Sequence, residues 1–350
     1  MRPNGTLLAV LRAVARPGLL GMAFLVHAAS GCADAPSDAP SKSASWSVVE
    51  EDLDSALISV WGSGEDDVWA VGSDRGEGPL VLHWDGETME QLRTGATGDL
   101  WWVYGFAGGP VFMGGAGGSI LRYQDGEFSP TTTPRTDVTV FGLWGASPEE
   151  MWAVGGSDGG ADGAFAWRLD GDEWLAAPEL PEDLAADKAL WKVWGSAADD
   201  VWLVGTAGVA VHWDGSSFET VNVGGGESLF TVHYGGGRFV AVGGGAAGLV
   251  FENEGDGWQA AEHDALYALI GVHLTSSARG YAVGRFGAVV EERDGKWQDT
   301  EGPDTIRTLH SVWADPAGGL WTVGGELDVR PMVAGVLAYR GNNQPSGITQ

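Results

Sequence analysis

"VWGSGEDDVWAVG" (residues 60–72) returns almost unchanged as "VWGSAADDVWLVG" (193–205) and again as "LWGASPEEMWAVG" (143–155). A Trp-Gly, an acidic pair and a Trp-x-Val-Gly at fixed spacing mark a structural unit that recurs. An anchor near the first turn occurs seven times, at Trp61, Tyr104, Trp144, Trp194, Tyr234, His273 and Trp313, at intervals of 39–50 residues. The glycine that ends the unit also occurs seven times, at Gly72, Gly114, Gly155, Gly205, Gly243, Gly284 and Gly324.

Each unit parses into four short strands. In the first these are "LISVW" (57–61), "DVWAV" (67–71), "LVLHW" (80–84) and a fourth after Asp85-Gly86. Asp-Gly recurs at Asp125, Asp170, Asp214, Asp256 and Asp294, usually with an aromatic soon after, such as Trp174, Phe218 or Trp297. Glycine tolerates the positive φ of a tight hairpin, and aspartate bonds its own turn. Four-stranded units of about 40 residues predict the blades of an all-β, seven-bladed β-propeller. The seventh unit lacks a fourth strand, whereas "SWSVVEE" (45–51) precedes the first unit and reads as one. The N-terminal strand is therefore expected to complete the last blade and remove the open edge. The repeated Trp69, Trp152, Trp202 and Trp321 are expected as wedges between blades. The acidic pairs are expected to cap their turns and stay solvated.

The composition agrees with this fold. The 350 residues include 57 Gly and 18 Trp, suited to tight turns and large interblade side chains. Nineteen Lys and Arg against 48 Asp and Glu argue against nucleic acid as a partner, because phosphate binding needs basic patches. A single cysteine excludes an intramolecular disulfide.

The N-terminus reads differently from the repeats. Arg2, Arg12 and Arg16 precede the apolar run "GLLGMAFLVHAAS", which ends at "ASGC" and Cys32. This resembles a bacterial lipoprotein signal, and the resemblance implies that Cys32 is lipidated and becomes the new N-terminus. "ADAPSDAPSKSA" then reads as a flexible tether. The expected organisation is a signal over 1–31, a linker over 32–44, the propeller over 45–341 and a polar tail over 342–350.

The repeat itself, with "HWDG" in its third strand and Asp214, Gly215 and Phe218 at a hairpin, resembles bacterial envelope propellers of the Asp-box (BNR) and photosystem II assembly-factor-like group. The resemblance implies the propeller and admits several functions, sialidase-like glycoside hydrolysis among them. No metal-ligand spacing, nucleophile elbow or phosphate loop accompanies the repeats, so no catalytic residue, metal or cofactor is assigned. His83 and His212 are repeat equivalents and read as packing or turn partners.

Departures from the repeat mark candidate binding residues. Propeller ligands usually meet the face of the d–a and b–c loops, where each innermost strand starts. Three residues before the anchor stand Ile58, Trp101, Phe141, Trp191, Ile270 and His310. Two before stand Ser59, Trp102, Gly142, Lys192, Gly271 and Ser311, where Trp102 and Lys192 break a run of small residues. Trp101, Trp102 and Trp191 are expected as a stacking platform for sugar rings or a peptide, Lys192 and Arg307 as anion holders, and His310 as a further ligand-binding candidate. Insertions at "GGSDGGADGAF", "PELPEDLAADKAL" and "GGELDVRPMVAG" lengthen loops on that face. The expectation is a monomeric, lipid-anchored envelope propeller acting as a non-enzymatic scaffold or recognition module. Its partner would be a protein, peptide or glycan, with a lectin or an Asp-box glycosidase as the alternatives.

Overall fold

The computed structural model describes residues 45–157, 163–177, 180–182, 184 and 187–349. Cys32, the signal segment and the linker lie outside the described residues, as do residues 158–162 of the third blade's insertion.

Seven antiparallel sheets form the blades of a β-propeller. The first consists of Leu57–Gly64, Asp67–Asp74, Pro79–Trp84 and Met89–Gln91, strands a to d from the axis outward. Blades two to six repeat this order over residues 100–130, 138–176, 190–222, 229–260 and 269–300. The seventh takes Thr308–Ala314, Leu320–Glu326 and Val333–Arg340 from the C-terminal end and Trp46–Leu53 from the N-terminal end. Trp46 pairs with Arg340 and Leu53 with Gly335, so the ring closes by the N-terminal strand as its sequence implies. The tail adds one further element. Ile348–Thr349 pairs in parallel with Met89–Gln91, and the Ile348 N–H donates to Glu50 Oε1 at 2.8 Å.

The strand pairing corrects two of the repeat anchors. The residue opposite Val240 in the fifth blade is His233, and the glycine opposite Leu100 in the second is Gly115. Tyr234 and Gly114 each stand one residue away from the true equivalent. An aromatic neighbour in one case and a Gly-Gly pair in the other hide the difference.

Trp69 packs on Leu100 and Val103 of the second blade, Trp202 on Phe239 of the fifth and Trp321 on Leu57 of the first. Trp152 packs in the same way on Val193 of the fourth. Each blade is apolar on both faces and is covered only by its neighbours. The Gly of Trp-Gly lies under the preceding blade's aromatic: a Cβ on Gly62 would stand 2.7 Å from Trp313, and one on Gly195 2.4 Å from Trp144.

In the first and fourth blades the second member of the acidic pair departs from expectation and is half-buried, whereas Glu150 of the third is exposed as expected. Asp67 accepts from Ser63 Oγ at 2.5 Å, from the Trp69 indole at 2.8 Å and from His83 Nε2 at 2.9 Å. His83 in turn stacks on Trp69 with ring centroids 3.9 Å apart. Burial works to raise the Asp67 carboxyl, and its bonds to His83, Ser63 and Trp69 outweigh that and hold it below the ordinary value. The fourth blade rebuilds the network from Ser196, Asp200, Trp202 and His212.

The closing Val-Gly serves a bulge. In all seven blades the a–b register shifts just after the residue opposite this glycine. The shift brings a backbone carbonyl against it: a Cβ on Gly72 would lie 2.0 Å from the Ala56 oxygen, and one on Gly205 2.0 Å from that of Ala189. No larger residue fits there. The bulge leaves one unpaired residue per blade at the start of strand a, and so builds the channel mouth.

Candidate functional site

The seven bulged residues are Ile58, Trp101, Phe141, Trp191, Phe230, Ile270 and His310. All except Ile58 line one cavity of about 280 Å³ at the mouth, together with Lys192, Thr308 and loop residues Arg285, Leu327 and Asp328. Ile58 is buried with Met332, because the seventh blade's inserted loop folds over the first blade. The Ala56 N–H and the Ser73 hydroxyl both donate to the Met332 carbonyl.

Trp101, Trp191, Lys192 and His310 are thus brought together. The rings do not form a flat platform. Phe141 stands edge-on between the two indoles, 5.1 Å from Trp101 at 90° and 4.7 Å from Trp191 at 63°. His310 lies 6.2 Å from Trp101, and its Nδ1 donates to the Ile58 carbonyl at 2.7 Å. Burial, and then the charge of Lys192, push His310 down to about 3, against the opposing bond to Ile58. The imidazole is therefore neutral at physiological pH.

Trp102 and Arg307 stand elsewhere. Trp102 is 8% exposed and packs toward the third blade, its indole donating to the Leu143 carbonyl at 3.0 Å. It does not line the mouth; its ring lies under Lys192, with Nζ 4.4 Å from the centroid. The bulge is the reason, since it turns the next residue into the blade interface. Arg307 is engaged by Asp52 at 2.7 Å and by Glu326, and does not line the cavity. Lys192 is 4% exposed and donates to the Phe141 carbonyl at 2.9 Å and that of Trp191 at 3.2 Å. Burial pushes its amine down to about 7.

The rim carries a feature that the repeat comparison passes over. Five of the six exposed large apolar side chains among the described residues lie on mouth-face loops leading into or within blades six and seven. They are Leu266, Tyr267, Phe286, Ile306 and Val329. Phe286, Ile306 and Val329 each follow or flank a cavity residue: Arg285, Thr308 and Asp328. Phe286 sits at the centre of a one-turn 3-10 helix with φ 59°, where the matching turns hold Gly117 and Ala207. A bulky residue in the left-handed region is strained. Here it is also 60% exposed, its ring touching Tyr267 at 4.9 Å. Among the described residues no group of three His, Cys, Asp or Glu side chains could hold a metal ion.

No family model matches this chain, and no curated relative does. Solved structures do resemble it. The WD40 β-propeller domain of Doa1 is 10% identical with a TM-score of 0.64, over 85% of this chain and 97% of that one. YCF48 from Cyanidioschyzon merolae is 16% identical with a TM-score of 0.63, over 85% and 98%. YCF48 bound to D1 peptide is 13% identical with a TM-score of 0.60, over 85% and 97%. At these identities the likeness is one of fold.

Proposed function

We propose that this chain is a non-enzymatic recognition module whose mouth face docks a segment of another protein. The carrying observation is the continuity of five exposed apolar side chains with an aromatic cavity, on the face where the bulges open the ring. Solvent-exposed apolar groups concentrated in one patch characterise interaction sites. A strained, exposed Phe286 contributes nothing to packing that Gly117 or Ala207 does not supply in the matching turns. The fold similarity to YCF48, solved with a D1 peptide, supports a peptide-binding use of the same architecture.

Edge-on packing of Phe141 between the indoles favours apolar side chains over a stacked sugar ring. Glycoside hydrolysis by the usual route needs two carboxylates across the bond, and the sialidase-like route a tyrosine nucleophile, which the cavity lining does not include among the described residues. Among the described residues the cavity wall has one carboxylate, Asp328, which is tied to Arg285 at 2.9 Å.

We also read the N-terminal residues as a lipoprotein signal, with Cys32 as the lipidated anchor of a cell-envelope protein. A diacylglyceryl mass on Cys32 in the envelope fraction is the expected finding, and an unmodified cysteine there would remove the anchor.

The docking reading is tested by panning a random peptide library against the full chain and against a Phe286→Asp, Ile306→Asp variant. Peptides rich in apolar residues are expected, binding at least about tenfold more weakly to the folded variant. Equal binding to both would move the interface off this rim.

A further inference from the structure

The layer just below the bulges contains Ser59, Trp102, Gly142, Lys192, Thr231, Gly271 and Ser311. These residues join adjacent blades. Ser59 Oγ accepts from the Val103 N–H at 3.2 Å, and Ser311 Oγ from the Val60 N–H at 3.3 Å. Thr231 Oγ1 donates to the Ile270 carbonyl at 2.6 Å. A hydroxyl, or no side chain at all, is sufficient for that task. Lys192 makes the same kind of link to the third blade with an ammonium group, whose burial is far more costly.

Two carbonyl oxygens and the face of the Trp102 ring, 4.4 Å from Nζ, offset part of that cost, and no opposite charge does among the described residues. No carboxylate pairs with Lys192 among the described residues, and burial alone accounts for its lowered proton affinity. Its bonds go to two carbonyl oxygens, which leaves one of three N–H donors of the protonated amine unused. The charged and titratable groups facing it are few. His310 is neutral, while Arg285 and Asp328 bond each other. Beside Lys192, the indole N–H of Trp191 is buried without a hydrogen-bond partner. A buried cation without a counter-charge therefore stands in the wall of a cavity otherwise lined by Trp101, Phe141, Trp191, Phe230 and Ile270. A charge buried without an opposite partner is stabilised when a ligand supplies one.

We propose that the mouth cavity binds an apolar group carrying a carboxylate, with Lys192 as the counter-cation. This rests on the mouth being a recognition site, and it names the chemistry of what enters. Two sources carry this chemistry, an acidic side chain of a docked segment and a free aromatic acid. Where the amine is neutral, it takes one proton from solvent as the carboxylate arrives; where it is already protonated, the ammonium–carboxylate pair forms directly, and neither case involves a covalent change.

The test is calorimetric titration of the full chain with N-acetyltryptophan and with N-acetyltryptophanamide, probes alike in shape and different in charge. At about pH 6, where the acid is ionised and Lys192 is protonated, the acid is expected to bind at least about tenfold tighter than the amide. Its advantage should shrink as pH rises through the range of Lys192. Near neutral pH its heat of binding should vary with the buffer in the sense of proton uptake. Lys192→Met should bind the two probes alike. Equal binding by the wild-type chain, absence of binding by both probes, or a preference unchanged in Lys192→Met would overturn the proposal. A peptide with blocked ends and one internal Glu separates the two sources: retained binding assigns the site to side chains, lost binding to free acids, and either agrees with the proposal. The rim reading stands or falls separately, on the Phe286 and Ile306 variant.

Discussion

The two ends of the central channel are built by the same seven strands and behave in opposite ways. At the mouth, the bulged residues open a cavity of about 280 Å³. Three residues further along, Trp61, Trp194, His233, His273 and Trp313 leave only about 20 Å³ between them, at most room for a single water. Both ends are aromatic, so composition does not distinguish them. The distinction comes from register. Below the bulges each of these aromatics is covered by the next blade, Trp313 by Gly62, Trp61 by Gly105, Trp194 by the His233 ring at 4.0 Å and His233 by that of His273 at 4.4 Å, and the ring closes. At the bulge the side chain has no such partner, and the ring stays open.

The sharpest way to break this comparison is to truncate one aromatic at each end. Trp313→Ala removes a buried indole from the first blade's Gly62 and should cost about 3–5 kcal/mol. Trp191→Ala, at the open end, should cost less than about half of that, because part of its surface already faces solvent. Urea midpoints of the two variants decide the matter. Equal losses would mean that the mouth aromatics are packing residues like those below.

Much of this architecture was legible in the sequence because the repeat is itself a control. Asp-Gly hairpins and a regular spacing yield the blade count, and the missing fourth strand of the last blade points to residues 45–51. Deviation from the repeat found Trp101, Trp191, Lys192 and His310. Two other candidates lie off the cavity lining, for reasons that only the fold supplies. Trp102 faces sideways because an unpaired residue precedes it, and Arg307 is taken by Asp52 from the opposite end of the chain. Asp328 enters the cavity from the seventh blade's inserted loop, which has no repeat register to compare, whereas Arg285 stands where the matching turns hold Ala116 and Thr206. Phe286 did leave a signal. It stands in "GRFG" where the matching turns read "GAGG" and "GTAG", a bulky side chain in a turn built for a small one.

Lys192 sharpens the contrast between layers through pH. Its amine titrates at about 7 in the folded chain against 10.5 in the open one. The unfolded chain therefore holds the proton more tightly, and the fold loses stability as pH falls from 10.5 to about 7, with the full penalty below that. Lys192→Met should accordingly stabilise the protein by on the order of 1–4 kcal/mol at about pH 6, with the gain fading in alkali. Replacing a stitching residue of the same layer, Thr231→Val, should destabilise at every pH by about 1 kcal/mol, because it only removes a hydrogen bond. Thermal unfolding across pH separates the two. A Lys192→Met gain that is independent of pH would show that the amine is not titrating in the fold.

The smallest expected change in stability is at the rim, and it carries the most functional information. Phe286→Gly relieves a left-handed φ of 59° and should shift stability by no more than about 1 kcal/mol, in the favourable direction. Ala207→Gly relieves the same strain in the fourth blade, where φ is 54°. The two changes are therefore matched in their effect on the fold and differ only in what they remove from the surface. Phe286→Gly should abolish most binding of the apolar peptides recovered by panning, whereas Ala207→Gly should leave it unchanged. A chain that is stabilised by Phe286→Gly and loses its partner at the same time has kept a strained turn for recognition. If binding survives Phe286→Gly, the strained phenylalanine is not part of the interface, and the docking surface contracts to the cavity and the remaining rim.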